Sequence, residues 1–400
     1  MINIVRKSDC CGCNACVQRC PKHCISMQED NEGFMYPIVD KSACINCGLC
    51  EKVCPVINQT EAREPLNCFA AINPDEQIRL QSSSGGIFTL LAEYIIDNGG
   101  VVFGAMWDEN WDVIHSYTEN KHDLVLFRGS KYLQSSIGDT YKQAEQFLKA
   151  GRKVLFSGTP CQIAGLKKFL VKEYDNLLTV DIICHGVPSR SVFHSYIKEE
   201  IKEVIINLNG EKLSGDLSEK CKIKSINFRD KTKGWKLFGL TICFTYTSLD
   251  GKEVSINHSS TLHEDPFMTG FLNNYFLRPS CYKCPVRKLK SNADITIGDY
   301  WGYDGDLTIE DDDKGISAVI VSTPNGENAL KGTNMIYATA NYFNILRCNS
   351  ALEKSVKGPY REYFYGHLGK SFRGIIRQLT SRKFVDKIRR KIYLKLHKNG

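Results

Sequence analysis

Two short cysteine runs near the start of the chain constrain its fold more than any other feature. In each run, three cysteines stand at every third position, and a fourth follows four positions later, directly before a proline. The runs comprise Cys10, Cys13, Cys16, Cys20 and Pro21, and then Cys44, Cys47, Cys50, Cys54 and Pro55. This spacing is typical of paired [4Fe–4S] clusters, in which three cysteines of one loop bind one cube and the fourth binds the other cube.

The spacing therefore predicts which cysteines share a cluster. Cluster I is expected on Cys10, Cys13, Cys16 and Cys54, and cluster II on Cys44, Cys47, Cys50 and Cys20. Zinc and disulfides are the alternatives, and they would leave each fourth cysteine and its proline unexplained. Cys11 and Cys24 fall outside the pattern and are predicted to be bystanders. Over residues 1–60 the sequence resembles bacterial two-cluster ferredoxins.

Composition and charge narrow the class of protein. The chain has eighteen cysteines and neither a long apolar run nor an apolar signal region at its start, which favours a cytoplasmic protein with metal-binding cysteines. Residues 361–400 hold twelve Lys and Arg against two acidic residues, so the net charge of +7 belongs to this tail. The tail has helical apolar spacing and predicts either peripheral membrane contact or a helix packed on the body. The basic residues are not part of any recognisable nucleic-acid-binding motif, so nucleic acid is not an expected partner.

The rest of the chain predicts a mixed fold. After Asn58 a polar segment ending at Pro65 reads as a linker, which gives domains at 1–60, 61–345 and 346–400. Strands are predicted at 67–72, 153–158 and 177–183, and helices at 82–100, 159–170 and from about Ser189. The segment 222–259 predicts antiparallel strands around an Asp250–Gly251 turn. The fold class is α+β: a small two-cluster ferredoxin domain followed by a larger mixed α/β domain.

Two features of the larger domain suggest a ligand site. The β-α-β-α order of residues 152–204 predicts parallel strands whose carboxyl ends meet, which brings residues 157–162 and 184–188 to one crevice. The turn "SSSGG" (82–86) opens a helix, a geometry that suits phosphate, although a plain helix cap with Ser84 explains it equally well.

Four further cysteines form a second candidate metal site. Cys281 and Cys284 stand in a C-x2-C-P arrangement, and with Cys161 and Cys184 they make four potential ligands. A third [4Fe–4S] cluster, a zinc ion and a redox dithiol are the three interpretations. Small buried hydrophobic roles for Cys161 and Cys184 are the alternative to all three.

Seven motifs in the larger domain identify a resemblance to a known family. They are "SSSGG" (82–86), "SKYLQS" (130–135), "GTPCQIAGL" (158–166), "CHGVPS" (184–189), "FRDKTKGW" (228–235), "SCYKCP" (280–285) and "ADITIGDYWG" (293–302). In this order they resemble the beta-subunit family of coenzyme F420 hydrogenases and dehydrogenases, over roughly residues 1–345. Members of that family are flavin- and iron–sulfur-containing proteins. The resemblance implies bound FAD near the following residues: Ser83, Ser84, Gly85, Gly86, Lys131, Thr159, Pro160 and Gln162.

The resemblance also implies an activity and a candidate catalytic residue. His185 is the candidate catalytic residue through contact with the flavin, and the alternative is that it caps its own loop. We expect a flavo-iron–sulfur oxidoreductase that transfers electrons between a hydride carrier, such as reduced coenzyme F420, and ferredoxin-type clusters or a partner reductase. Alternatives are an electron-transfer subunit without its own turnover, serving for example polysaccharide biosynthesis, and a zinc- and thiol-containing structural protein. The family name does not identify the substrate, because no dedicated deazaflavin site is visible in the sequence.

Overall fold

A computed structural model describes residues 1–209, 220–248, 250–302, 308–383, 387–388 and 390–391. The chain divides into two compact units, and each is described by itself. The first unit comprises Met1–Gly186 and Pro279–Val356, and the second comprises Val187–Arg278 and Lys357–Gly400. Both units contain helices as well as strands, so the predicted mixed fold class is confirmed.

The elements are numbered in chain order. The strands are β1 (Ile25–Glu29), β2 (Met35–Val39), β3 (Asn67–Ile72), β4 (Val101–Trp107), β5 (Val113–Thr118), β6 (Val154–Gly158), β7 (Leu177–Ile182), β8 (Cys221–Asp230), β9 (Gly239–Thr247), β10 (Glu253–Thr261), β11 (Ile295–Asp299), β12 (Ser317–Val321) and β13 (Ile336–Thr339). The helices are α1 (Ala15–Gln18), α2 (Leu49–Lys52), α3 (Glu76–Gln81), α4 (Ile87–Asp97), α5 (Leu124–Phe127), α6 (Thr140–Lys149), α7 (Pro160–Leu170), α8 (Arg190–Asn209), α9 (Pro266–Leu272), α10 (Pro324–Lys331), α11 (Tyr342–Cys348), α12 (Arg361–Tyr365) and α13 (Phe372–Thr380). Short 3-10 helices lie at Lys7–Asp9, Lys121–Asp123, Pro279–Lys283 and Ser350–Leu352.

The first unit begins with the two cysteine loops. Each loop turns through a residue in the left-handed conformation, Asn14 (φ 65°) or Gly48 (φ 73°), and then enters a single helical turn, α1 or α2. Between the loops, β1 and β2 pair antiparallel, with Ile25 opposite Val39. The two loops thus have the same local design, as their matching spacing predicts.

An eight-stranded mixed sheet forms the body of the first unit. Its strand order is β13-β3-β12-β11-β7-β6-β4-β5. The neighbours β4, β6, β7 and β11 are mutually parallel, and β3 runs in the same direction because two antiparallel pairings through β12 restore it. The predicted parallel pairing of residues 153–158 with 177–183 is therefore confirmed, with Val154 opposite Leu177.

Both faces of this sheet are covered, which explains why its central strands are apolar at consecutive positions. In β6, Val154, Leu155 and Phe156 are all fully buried. Phe156 faces a core with α6 and α7. Leu155 faces the opposite core, with α4 and α10. The carboxyl ends of β3, β4, β6, β7 and β11 are left together at one edge, where open α/β sheets bind ligands.

One predicted helix start is wrong. The segment predicted as a helix from residue 82 begins at Ile87, with Gly86 as the N-cap residue at φ 85°. Ser84 does not cap the helix, because its hydroxyl donates to the carbonyl of Ile316 at 2.7 Å. Gly86 takes the N-cap position because its left-handed backbone favours a residue without a side chain.

The second unit contains an antiparallel sheet of β8, β9 and β10. This confirms the predicted turn, and Gly251 has φ 80° there. In α13, the apolar residues Ile375, Ile376 and Leu379 are buried, and Phe372 contacts the ring of Phe267 on α9. This part of the tail is thus packed within its own unit. Phe384 and Ile392, which contribute to the predicted apolar face, lie outside the described residues. Among the helices that the structure describes, none is long and apolar enough to span a membrane.

Candidate functional site

Two open cavities lie within the cysteine loops. One cavity is lined by Cys10, Cys13, Cys16 and Cys54. The other cavity is lined by Cys20, Cys44, Cys47 and Cys50. This is the grouping that the spacing predicts, with the fourth cysteine of each run exchanged between the loops.

Each cavity has the four-cysteine lining that a [4Fe–4S] cube needs. Among the described residues, no three His, Cys, Asp or Glu side chains converge closely enough to hold one metal ion. Burial raises the pKa of the Cys16 thiol to about 12, so binding iron there must release a proton. Backbone amides already point at sulfur: Ile2 donates to Cys50 Sγ at 3.2 Å, and Gly12 donates to Cys10 Sγ at 3.4 Å. Such bonds to cluster sulfur tune reduction potentials.

The two cysteines predicted to be bystanders lie in the same cavities. Cys24 Sγ is 3.4 Å from Cys20 Sγ and lines the cavity of cluster II. Cys11 lines the cavity of cluster I, and it shares a packed core with Cys13 and Cys161. Sequence spacing could not have found these contacts, because both cysteines fall outside the repeated offsets and their partners depend on the folded loops.

Helix α7 connects the cysteine loops to the sheet. Thr159 and Gln162 form a capping box at its start, as the predicted cap and Pro160 at the first position indicate. Cys161 and Gly165 lie one turn apart, so they share a face of the helix. A Cβ atom on Gly165 would be 2.9 Å from Cys13 Cβ, so this face lies directly against the loop of cluster I.

Four more cysteines meet at the carboxyl edge of the sheet. Cys161 lies in the first turn of α7, Cys184 follows β7, and Cys281 and Cys284 lie in and just after a 3-10 helix. Burial raises the pKa of the Cys184 thiol well above its usual value; the Arg287 guanidinium opposes this, and charge repulsion from Cys281, Cys161 and Cys284 adds to it. The four predicted residues, each of them half-buried, are therefore brought near one another.

The predicted phosphate loop packs against a second loop. Ser83 Oγ accepts from the amide of Ser130 at 2.6 Å, and Arg128 donates to Gln81 Oε1 at 2.5 Å. Gly85 donates its amide to Ser317 Oγ at 2.9 Å, and a Cβ atom there would be 2.7 Å from the Ser317 amide nitrogen. Only glycine therefore fits at this position.

Lys131 lies in that second loop with its ammonium turned inward. Desolvation by burial lowers its pKa to about 7. Its Nζ donates to the carbonyls of Arg128 and Gly129, each at 3.2 Å, and among the described residues no carboxylate pairs with it. The N-cap residue of α4 is Gly86, so no N-cap side chain among the described residues bonds to the first amides of this helix. An inward cation and an uncapped helix start are a donor set that suits an anion such as phosphate.

A buried polar network, missed in the sequence, supports this edge. Gln162 donates to Ser135 Oγ at 2.9 Å, and Ser135 Oγ is 2.7 Å from His115 Nδ1. His115 Nε2 is 2.8 Å from the carbonyl of Ser157. Burial lowers the pKa of His115 to about 4, so the ring is neutral, with Nε2 donating to the carbonyl and Nδ1 accepting from the serine hydroxyl. Gln162 also accepts from Thr159 at 3.0 Å, so its amide is used within the protein.

His185, the predicted catalytic residue, lies just after Cys184. Its backbone carbonyl accepts from Arg287 Nη2 at 3.1 Å. Its role towards a flavin stays a prediction. Arg287 is a second residue of this edge that sequence reasoning missed, although it stands only three positions after Cys284.

Comparisons with known proteins support a two-cluster domain at the start of the chain. Residues 9–58 match the family model described as "4Fe-4S dicluster domain". Residues 151–341 match the model that describes the C terminus of the beta subunit in "Coenzyme F420 hydrogenase/dehydrogenase". A search of the curated proteins finds no match. Among solved structures, a chain of the F420-reducing [NiFe] hydrogenase complex from Methanosarcina barkeri is similar at 19% identity and a TM-score of 0.46, over 78% of this chain and 96% of that chain.

The family matches and the two cysteine cavities define an iron–sulfur oxidoreductase that transfers electrons. Residues 9–58 are its dicluster domain. Over residues 151–341 the chain matches the model of the coenzyme F420 hydrogenase/dehydrogenase beta subunit, so the resemblance stated from the sequence is confirmed.

Proposed function

We propose that this protein is a flavo-iron–sulfur oxidoreductase that transfers electrons between a hydride carrier and its own clusters. The carrier is reduced coenzyme F420 or a molecule of similar chemistry. The proposal includes FAD at the carboxyl edge of the sheet and a third [4Fe–4S] cluster on Cys161, Cys184, Cys281 and Cys284. When bound, a flavin accepts two electrons as a hydride and releases them one at a time, which one-electron clusters require.

One observation carries this proposal: a single face of α7 contacts both cysteine sites. Cys161 belongs to the candidate third site, and it packs against the core that contains Cys11 and Cys13, both of which line the cavity of cluster I. One turn further, Gly165 lies against Cys13. A metal site at the carboxyl edge would thus lie beside the dicluster domain, as an electron-transfer chain requires.

The residues proposed for FAD have complementary tasks. Lys131 supplies a positive charge for a phosphate group, and the SSSGG loop supplies backbone amides without bulky side chains. The network of His115, Ser135 and Gln162 holds the start of α7 in place. His185 is proposed to contact the flavin from the loop after β7.

A second candidate function is that of an electron-transfer subunit without turnover of its own. The exposed side chain of Cys47, a proposed ligand of cluster II, favours it, because a partner protein could approach that cluster closely. A redox partner at this end and a cytoplasmic location are parts of the proposal. Peripheral membrane contact through the basic tail is a further proposal, restricted to residues after α13 because the apolar face of α13 is buried.

An anaerobic reduction experiment separates the two functions. Oxygen-free protein is mixed with reduced coenzyme F420, NADH or reduced ferredoxin, and bleaching of the flavin and cluster absorbance is followed. Rapid bleaching by one hydride donor alone supports the oxidoreductase. Bleaching by reduced ferredoxin alone, with no flavin released on denaturation, supports the electron-transfer subunit.

A further inference from the structure

The Arg287 guanidinium joins three segments around the candidate third site. Its Nη1 donates to the carbonyls of Cys184 and Ala351, and its Nη2 donates to the carbonyl of His185 at 3.1 Å. Arg287 itself lies three residues after Cys284. One side chain therefore ties the loop that carries Cys184 to the segment that carries Cys281 and Cys284.

The segment after Cys284 is held firmly from its other side. The amide of Cys284 donates to Ser355 Oγ at 3.0 Å, and the amide of Lys288 donates to the carbonyl of Leu352 at 2.7 Å. Because both bonds fix the backbone on either side of Arg287, the guanidinium has a defined position relative to the cysteines. A planar group with several donors suits contacts to three carbonyls, and lysine cannot reproduce them.

Charge is the second contribution of Arg287. Four thiolates around an iron–sulfur cluster carry net negative charge, and a buried negative charge without a cation is strongly unfavourable. The guanidinium is bonded to the carbonyls of Cys184 and His185, so its positive charge lies directly beside the loop that carries Cys184. It therefore offers the charge compensation that this site needs.

We infer that Arg287 is a positioning residue of the third cysteine site, which holds the Cys184 loop in register with Cys281 and Cys284 and supplies the positive charge for a cluster there. The inference rests on the proposed function, because it requires the third cluster. It predicts that the charge of Arg287 raises the reduction potential of that cluster. It also predicts that the hydrogen bonds from its guanidinium N–H groups are needed for the site to hold a full cluster.

Two variants separate charge from geometry. Arg287→Lys keeps the charge and loses the fork, whereas Arg287→Gln loses the charge. Arg152→Gln is the matched control, because Arg152 also donates to backbone carbonyls, those of Gly99 and Gly100, away from the cysteines. Iron and sulfide content, circular dichroism and potentials from EPR-monitored titration are measured anaerobically, with Cys184→Ser identifying the signal of the third cluster.

Arg287→Gln is expected to lower the reduction equilibrium constant of the third cluster at least about tenfold, which corresponds to about 59 mV for one electron. Arg287→Lys is expected to restore that potential but to hold less iron than the wild type, and clusters I and II should not change in either variant. Full iron with an unchanged potential in Arg287→Gln would overturn the inference alone. Wild-type protein with only about eight irons would overturn the third cluster itself, and the inference with it.

Discussion

The contact between Gly165 and the loop of cluster I makes a quantitative prediction for Gly165→Ala. In an isolated helix, alanine is more favourable than glycine by about 1 kcal/mol. Here the added Cβ would lie 2.9 Å from Cys13 Cβ and 3.0 Å from the Tyr141 hydroxyl, so a neighbour must move. Such overpacking costs about 1–3 kcal/mol. The net expectation is a loss of stability of up to about 2 kcal/mol, instead of the usual gain.

The loop of cluster I cannot easily move aside. Gln134 donates to the carbonyl of Cys11 at 2.8 Å, and the amide of Tyr141 donates to Gln18 Oε1 at 3.1 Å. Displacement of Cys13 should therefore disturb cluster I, and iron content should fall by up to about four atoms per chain. Loss of iron is the more specific readout, because a general loss of stability would not select one cluster.

The assay combines thermal unfolding with anaerobic iron analysis. Gly374→Ala in α13 is the matched control, because a Cβ there meets Ser371 at an ordinary 3.5 Å. The control should gain up to about 1 kcal/mol and keep all its iron. If Gly165→Ala instead raised the melting temperature as the control does and kept full iron, the close packing of α7 on this loop would be refuted.

Three further predictions follow from buried polar groups. The pKa of Lys131 is lowered to about 7, so above that pH its amine must take up a proton when an anion binds. FAD affinity, measured by fluorescence, should therefore fall up to about tenfold per pH unit above 7. Lys131→Met should remove this pH dependence, whereas the control Lys121→Met, at an exposed ion pair, should keep it. Burial raises the pKa of Asp181 to about 6, so the protein should lose stability as the pH rises from the ordinary aspartate pKa of 3.8 through 6. Asp181→Asn should remove this dependence of the melting temperature on pH. It should also stabilise the protein at pH 7 by at most about 3 kcal/mol. Gln162→Met breaks the capping box with Thr159 and should cost about 2 kcal/mol in chemical denaturation, a cost that an unchanged midpoint would contradict.

Local sequence patterns predict much of the fold and the grouping of cysteines. The strand at 67–72 and the cap of α7 at Thr159 lie where they are predicted, because apolar alternation and helix-start chemistry are set by neighbouring residues. The exchange of Cys20 and Cys54 between the two cavities follows from the spacing of the two runs, which places each fourth cysteine beyond the reach of its own loop.

Contacts between distant segments lie beyond sequence reasoning. Ser84 is a plausible helix cap by residue type, but its hydroxyl bonds to Ile316, 232 residues away, and the helix starts later. His115 and Arg287 belong to the sheet edge only because β5 and the segment after Cys284 fold against it. Their partners are mostly backbone carbonyls, and every residue type has one, so the sequence cannot show these contacts.

Anaerobic analysis of iron, acid-labile sulfide, zinc and flavin in one preparation tests the central claim most directly. About twelve irons and as many sulfides per chain are expected, with one FAD and no stoichiometric zinc. Zinc in place of iron, or fewer than about eight irons in fully protected protein, would contradict the claim that the two cysteine loops hold a pair of cubane clusters.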